Sequence, residues 1–248
     1  MTDSARFSWT VLLPVKVLAR AKSRLAVLAG DRRRELALAL ASDTVSAVLG
    51  CPEVARVVVV TSDPVAGPLL AALGAVVVPD EPADRATGHR TRVGLEGHPG
   101  VLGDLGGYDP SGVQDLLNAA LRHGAAVAAR RWPGTGLAAL TADLPAVSPA
   151  ELAAALRAAG TGPGAAFVPD AAGIGTTLYA VPPGGAFSPL FGGASRARHA
   201  AAGATELKLD VMTGLRRDVD TPDDLREALT LGAGPFTRAV AADLFTDV

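Results

Sequence analysis

Three aspartates in this chain occupy positions at which carboxylates can bind a metal ion. Asp143 follows the apolar run 136–140, and Pro145 prevents this predicted strand from continuing. Asp218 and Asp220 are separated by one residue, so in an extended segment both side chains point to the same side. Oxygen ligands favour Mg²⁺ or Mn²⁺ over zinc. The three aspartates therefore predict a Mg²⁺ site that would also accept Mn²⁺.

Two groups of residues suggest anion binding on either side of that metal. Lys16, Lys22 and Arg24 come directly after the apolar segment 9–15, where cations can bind a polyphosphate, although a solvated loop is the alternative. Ser195 follows a Gly-rich turn and is expected to be the N-cap of a short helix, which is typical of a phosphate site. A metal between two phosphorylated substrates indicates phosphoryl or nucleotidyl transfer.

Strands and helices alternate along the chain, which predicts an α/β fold with its ligands at the carboxyl edge of the sheet. Strands are expected at residues 9–15, 54–60, 75–78, 136–140, 165–168, 206–209 and in the second half of 173–180. Helices are expected at residues 31–50, 64–73, 111–129, 148–159 and 234–243, with shorter ones after Ser195 and Thr221.

Polar residues at the helix starts divide into structural and functional candidates. Ser148 and Thr221 are each followed by Pro, which is typical of an N-cap and a first helical residue. Asp223 and Asp224 fall in the first turn of a helix, so we interpret them as structural rather than as metal ligands. Asn118 lies among apolar residues of a helix, so it faces either solvent or a ligand.

Length, net charge and cysteine content limit the classes of protein to which this chain could belong. The 248 residues are interpreted as a single domain, 1–248, with a Gly-rich surface insertion at about 84–111. The net charge of −2 gives no electrostatic case for nucleic acid, and the single cysteine excludes an internal disulfide. No apolar run is long enough for a membrane span and no signal peptide is evident, so we expect a cytoplasmic protein without a membrane partner.

Several motifs are missing, and their absence narrows the reaction class. No GxxxxGK[ST] loop supports a P-loop kinase, and no GxSxG motif supports acyl transfer. A transferase acting on a sugar phosphate or a molybdopterin-like phosphate stays open, although Pro14-Val15-Lys16 replaces the glycine-rich loop usual there. A glycosyltransferase or a non-catalytic nucleotide-binding protein are the further alternatives.

Six segments, in order along the chain, carry a resemblance to a known family. They are Pro14-Val15-Lys16 with Ala21-Lys22-Ser23-Arg24-Leu25; Leu117-Asn118-Ala119-Ala120; Asp143-Leu144-Pro145; Gly173-x-Gly175-Thr176; Phe191-Gly192 with Ser195 and Arg198-His199; and Asp218-Val219-Asp220-Thr221-Pro222. The chain resembles the phospholactate/phosphoenolpyruvate guanylyltransferases of deazaflavin coenzyme biosynthesis. This resemblance implies a Rossmann-like, GT-A-like nucleotidyltransferase fold: a mixed, mostly parallel sheet flanked by helices.

The resemblance also implies the substrates and the residues that bind them. The substrates would be GTP and a three-carbon phospho-acid: phosphoenolpyruvate, 2-phospho-L-lactate or 3-phosphoglycerate. The metal ligands would be Asp143, Asp218 and Asp220, and the nucleotide phosphates would lie against Lys16, Lys22 and Arg24. The acid pocket would include Thr176, Gly192 and Ser195, with Asn118 as a further candidate.

One departure from the family pattern lies between the third predicted strand and Asn118. The family runs almost directly from that strand into the segment Leu-Asn-Ala-Ala, whereas residues 84–115 intervene here. The insertion is expected either to cover the nucleotide or to join an oligomer interface, and a homodimer is compatible with the sequence.

Overall fold

The fold is organised around one seven-stranded sheet. The computed structural model describes residues 7–16, 18, 22–80, 110–208 and 213–245. Its strands are β1 (Trp9–Pro14), β2 (Val54–Val60), β3 (Val76–Val78), β4 (Gly136–Leu140), β5 (Ala166–Pro169), β6 (Thr176–Val181) and β7 (Thr205–Glu206). Their spatial order is β3-β2-β1-β4-β6-β5-β7. Most neighbours are parallel, and only β6 runs antiparallel to β4 and β5, so the expected mixed, mostly parallel sheet is confirmed.

Helices cover both faces of this sheet. They are α1 (Ala26–Ala29), α2 (Arg33–Leu49), α3 (Ala66–Ala72), α4 (Pro110–Arg131), α5 (Pro149–Ala159), α6 (Ser195–Ala201), α7 (Thr213–Arg216), α8 (Pro222–Leu231) and α9 (Pro235–Ala242). Two short 3-10 turns, Ser23–Leu25 and Gly30–Arg32, adjoin α1. No helix in the described ranges is both long enough and apolar enough to cross a membrane.

The apolar residues of the strands explain why helices pack on both faces of the sheet. Val11 and Leu13 of β1 pack into a core with α2, α3 and α5, while Leu12 between them packs into a second core with α4. Because successive side chains of a strand point to opposite faces, a continuous apolar run such as β1 is stable only when both faces are buried.

A third core ties the end of the chain to its beginning. Val219 is fully buried with Leu36 and Leu40 of α2 and with Leu225 of α8. Val219 separates two predicted metal ligands, so its burial fixes the position of both.

Two of the predicted caps are confirmed and a third is wrong. Ser148 and Thr221 cap α5 and α8, and each belongs to a capping box completed by Glu151 or Asp224. Ser195 is not an N-cap, because it is already the first helical residue of α6 and Ala194 precedes it without a side-chain hydrogen bond. Residues 84–109 of the predicted insertion lie outside the described residues, whereas Pro110 and Ser111 at its end belong to α4.

Candidate active site

The end of β4 and the segment before α8 meet at one edge of the sheet. The backbone N–H of Val219 donates to the Asp143 carbonyl at 3.1 Å. The side chain of Val219 is buried in the third core, so Val219 is fixed by both its backbone and its side chain. Its neighbours Asp218 and Asp220 are therefore held beside Asp143. The capping box strengthens this arrangement, since Asp224 accepts from the backbone N–H groups of Asp220 and Thr221 at 3.2 and 2.8 Å. The interpretation of Asp224 as structural is confirmed.

Lys22 lies between two of the three aspartates. Its ammonium contacts Asp143 Oδ2 and donates to Asp220 Oδ1 at 2.7 Å, and only 12% of its side chain is exposed. The Lys22 backbone has φ of 53°, a left-handed conformation that is uncommon for a residue other than Gly. The side chain is therefore directed at the aspartates by a locally unfavourable backbone, which is typical of functional sites.

The Lys22 ammonium and the Asp220 carboxylate shift one another's pKa values. Burial alone would lower the pKa of Lys22, but Asp143 and Asp220 outweigh it and raise that pKa above its usual value. Burial would likewise raise the pKa of Asp220, but Lys22, with Arg24 and Lys16, holds it below its usual range. All three predicted basic residues thus act on the same carboxylate.

Asp218 is the carboxylate whose charge is least compensated. Burial, followed by the charges of Asp143 and Asp220, raises the pKa of Asp218 to about 7. None of the ion pairs among the described residues involves Asp218, and a divalent ion would supply the missing positive charge.

The residues present fit a divalent cation in their chemistry. Within the described ranges, no three acidic, His or Cys side chains already surround a metal-sized space, and the Lys22 ammonium is the cation that Asp143 and Asp220 share. Asp143 Oδ1, however, is buried without a hydrogen-bond partner among the described atoms. A buried carboxylate oxygen without a partner is costly, so it favours a cation.

Leu18, which lies between the basic residues Lys16 and Lys22, is held in place by Asp63, which the sequence did not single out for this role. Asp63 Oδ2 accepts from the backbone N–H of Leu18 at 2.8 Å, while its Oδ1 accepts from the N–H groups of Val65 and Ala66 at 2.9 and 2.8 Å. One buried carboxylate therefore fixes the start of α3 and the backbone of Leu18, which lies between Lys16 and Lys22 in the sequence.

The predicted acid-pocket residues lie on two elements, of which β6 runs beside the strand that leads to Asp143. Hydrogen bonding between β4 and β6 continues past Leu140, where the Thr141 N–H donates to the Thr177 carbonyl at 2.9 Å. Thr176, the first residue of β6, is therefore next to the strand end that leads to Asp143. The other element is the turn 191–195, which carries Gly192 and Ser195.

Asn118 and two glycines shape that turn. The Asn118 amide accepts from the Phe191 N–H at 2.8 Å and donates to the Phe191 carbonyl at 3.1 Å. Gly192 and Gly193 follow with φ of 100° and 45°, a conformation that side chains with a Cβ rarely adopt. Asn118 thus acts here on the loop backbone, and its predicted contact with substrate stays a prediction.

Known proteins share about half of their residues with this chain along most of its length. No family model matches the chain. A phosphoenolpyruvate guanylyltransferase from Thermomonospora curvata is 53% identical over 241 residues, which is 97% of this chain and 92% of that protein. One from Streptomyces coelicolor is 54% identical over 237 residues, 95% of this chain and 97% of that protein. The chain belongs to the phosphoenolpyruvate guanylyltransferase family.

Solved structures support the fold of this family member. A structure from Desulfovibrio desulfuricans, assigned as a nucleotide-diphospho-sugar transferase, superposes with a TM-score of 0.61 at 15% identity over 95% of this chain and 94% of that one. A nucleotidyl transferase from Methanothermobacter gives 0.51 at 19% identity over 91% and 97% of the two chains. At these identities the likeness shows the fold, and the expected nucleotidyltransferase fold is confirmed.

The structure brings most of the predicted site residues of this guanylyltransferase family member to one edge of the sheet. Direct contacts join Lys22 to Asp143 and Asp220, and the β4–β6 pairing joins Asp143 to Thr176. Sequence reasoning missed Asp63 as the tether of the basic loop, and it gave no separate role to His199. The signal for Asp63 was present, since an Asp three residues before the first residue of a helix can cap it, but its second partner, Leu18, is 45 positions away.

Proposed function

We propose that this protein transfers GMP from GTP to phosphoenolpyruvate, using Mg²⁺ and releasing pyrophosphate. The full-length similarity of the chain to phosphoenolpyruvate guanylyltransferases carries the proposal. The site gives it chemical sense, because a lysine-bridged pair of aspartates, a third aspartate with a raised pKa and a tethered basic loop meet at one sheet edge.

The reaction needs positioning and charge neutralisation more than proton transfer. A phosphate oxygen of phosphoenolpyruvate attacks the α-phosphorus of GTP, a new P–O–P bond forms, and the bond to pyrophosphate breaks. The second pKa of a phosphate monoester is about 6, so the attacking group is already largely dianionic at neutral pH and no general base is required. Two anions must instead be held together against their mutual repulsion.

The residues divide between the two substrates. Lys16, Lys22 and Arg24 bind and orient the triphosphate of GTP, and their charges stabilise the pyrophosphate as it leaves. Thr176, Gly192 and Ser195 bind the acid beside them, with the turn kept in shape by Asn118. Asp143, Asp218 and Asp220 would hold Mg²⁺, which would supply positive charge to the phosphate oxygens.

One assay tests the proposal directly. The protein is incubated with GTP and Mg²⁺ together with phosphoenolpyruvate, 2-phospho-L-lactate or 3-phosphoglycerate, and pyrophosphate release is measured. We expect release with phosphoenolpyruvate, a new phosphoanhydride signal in the ³¹P NMR spectrum of the product, and loss of both with EDTA. Asp143→Asn serves as the matched inactive control, and Asp223→Asn, an exposed carboxylate outside the site, as the active one. The absence of release with all three acids contradicts the proposal.

A further inference from the structure

One buried imidazole connects the elements that carry the predicted acid pocket. His199 lies on α6, one turn after Ser195, and its side chain is fully buried. Its Nδ1 atom lies 3.0 Å from Thr176 Oγ1 on β6, and its Nε2 atom lies 2.9 Å from the backbone nitrogen of Leu190. Leu190 directly precedes the turn that contains Gly192. The ring therefore contacts both sides of the pocket at once.

The two hydrogen bonds define which nitrogen of the ring carries the proton. A backbone N–H can only donate, so Nε2 must accept from Leu190 and is unprotonated. The neutral imidazole then has its proton on Nδ1, which has no lone pair left to accept a bond. It follows that Thr176 Oγ1 accepts from His199 and does not donate to it. The hydroxyl proton of Thr176 is left to be donated elsewhere.

The surroundings of the ring keep it neutral. Tyr179 stacks on His199 with ring centroids 4.7 Å apart, and Phe167 and Phe191 each lie 5.6 Å away. Burial, followed by the charge of Arg198, lowers the pKa of His199 to about 4, while the nearby Ser195 backbone opposes this shift. A neutral ring with one donor and one acceptor can hold two partners in fixed orientations.

We infer that His199 is a positioning residue for the acid substrate: its Nδ1–H does not touch the substrate but donates to Thr176 Oγ1, and so orients the Thr176 hydroxyl proton towards the bound phospho-acid. Its Nε2 at the same time holds the Leu190 backbone and hence the turn with Gly192. The inference rests on the proposed function only in taking a phospho-acid as the ligand of Thr176.

Two substitutions separate the two contacts of the ring. In His199→Gln the terminal amide oxygen can replace Nε2 as acceptor for Leu190, but no donor remains for Thr176. In His199→Asn the amide nitrogen can replace Nδ1–H, but the contact with Leu190 is lost. We expect His199→Gln to raise KM for phosphoenolpyruvate by about 10-fold, which corresponds to one lost hydrogen bond to an anion, with KM for GTP unchanged. His199→Asn should recover most of that loss.

A double-mutant cycle tests whether His199 acts through Thr176. Thr176→Val removes the hydroxyl and should raise KM for phosphoenolpyruvate about as much as His199→Gln does. If the histidine works by orienting that hydroxyl, the double variant should be no worse than Thr176→Val alone. Additive losses, about 100-fold together, would mean an independent role and would overturn the inference.

A measurement on the wild-type protein without substrate keeps the inference separate from the proposed function. Long-range ¹H–¹⁵N NMR spectra distinguish the two neutral tautomers, and the His199 signals are assigned by their loss in His199→Asn. We expect the Nδ1–H tautomer at pH 7, and finding Nε2–H would overturn the inference even in an active enzyme. If the wild-type protein releases no pyrophosphate with any acid, the proposed function is wrong. The tautomer of His199 is measured without substrate and is therefore tested independently.

Discussion

Lys22 and Asp220 lie 198 positions apart in the chain, yet the Lys22 Nζ atom donates a 2.7 Å hydrogen bond to Asp220 Oδ1. The same ammonium contacts Asp143, so Lys22, which follows β1, contacts two of the three predicted metal ligands. A lysine at this point stabilises two neighbouring carboxylates by charge. A divalent ion bound by the same oxygens would have to replace that contact, and Lys22 would then be available to the nucleotide phosphates.

Replacing Lys22 should therefore separate metal binding from catalysis. In Lys22→Met we expect Mn²⁺ to bind the free protein about 10-fold more tightly, since no ammonium competes for Asp143 and Asp220. The free energy of unfolding without metal should fall by about 1–2 kcal/mol, because two charge-assisted hydrogen bonds are lost at a partly exposed site. Turnover should fall by at least about 10-fold. Calorimetric titration with Mn²⁺, urea unfolding in EDTA and the pyrophosphate assay measure the three effects.

Lys208→Met is the matched control for this variant. It removes the same charge from an exposed position beside Glu206, away from the aspartates. It should leave Mn²⁺ affinity and turnover unchanged. Equal Mn²⁺ affinity in Lys22→Met and wild type would show that the ammonium does not occupy the metal position.

Asp218→Asn should change stability and activity in opposite directions. The Asp218 carboxyl shares the site with two other carboxylates, and its raised pKa shows that its charge is unfavourable without a metal. Removing that charge should raise the free energy of unfolding in EDTA at pH 8 by about 1 kcal/mol while turnover is abolished, a trade-off common at functional sites. Urea unfolding and the pyrophosphate assay test this, and a destabilised or active Asp218→Asn would contradict the assignment of Asp218 as a metal ligand.

Two substitutions of Asp63 should distinguish its cap from its tether. Asp63→Ala removes three buried hydrogen bonds and should cost about 2 kcal/mol of unfolding free energy. Asp63→Asn keeps one oxygen for the α3 cap but presents an NH₂ group to the Leu18 N–H. We expect Asp63→Asn to lose less stability than Asp63→Ala and still raise KM for GTP several-fold, with KM for phosphoenolpyruvate unchanged. An unchanged KM for GTP in both variants would mean that the tether does not position the basic loop.

The depressed pKa of His199 should make the protein less stable in mild acid. The unfolded histidine binds a proton with a pKa of about 6.5, whereas burial and Arg198 lower the folded pKa to about 4. Since the unfolded state binds more protons between these values, the stability contributed by the neutral ring is present above pH 6.5 and is lost as the pH falls towards 4. The slope is at most about 1.4 kcal/mol per pH unit.

Urea unfolding of wild type and His199→Phe at pH 7.5, 6.0 and 5.0 measures this dependence. The aromatic variant keeps ring packing but cannot titrate, so it should lose less stability than wild type over that range. Parallel pH dependences of the two proteins would contradict a depressed pKa at His199.

Local patterns were sufficient to predict most of the elements. The bounds of β2 and β4 match the structure, because residues 57–60 and 138–140 are apolar runs that pack into the cores on both faces of the sheet. The capping boxes at Ser148 and Thr221 were equally readable, since all of their partners lie within three residues. The cap assigned to Ser195 was wrong, because a turn of consecutive glycines allows the helix to begin with Ser195 itself and carries no local signal for its start.

The sequence by itself determined which chemical groups are present, and it placed Asp143 after β4 and the basic residues after β1. Asp218 and Asp220 instead follow the helix α7, with the buried Val219 between them. Only the tertiary structure decided how they meet. Lys22 contacts both Asp143 and Asp220. Asp63 accepts from the Leu18 N–H, and His199 contacts both Thr176 and Leu190. These contacts join residues that are distant in sequence or lie on different elements. Sheet order and core packing set their distances, and neither is encoded in the spacing of residues along the chain.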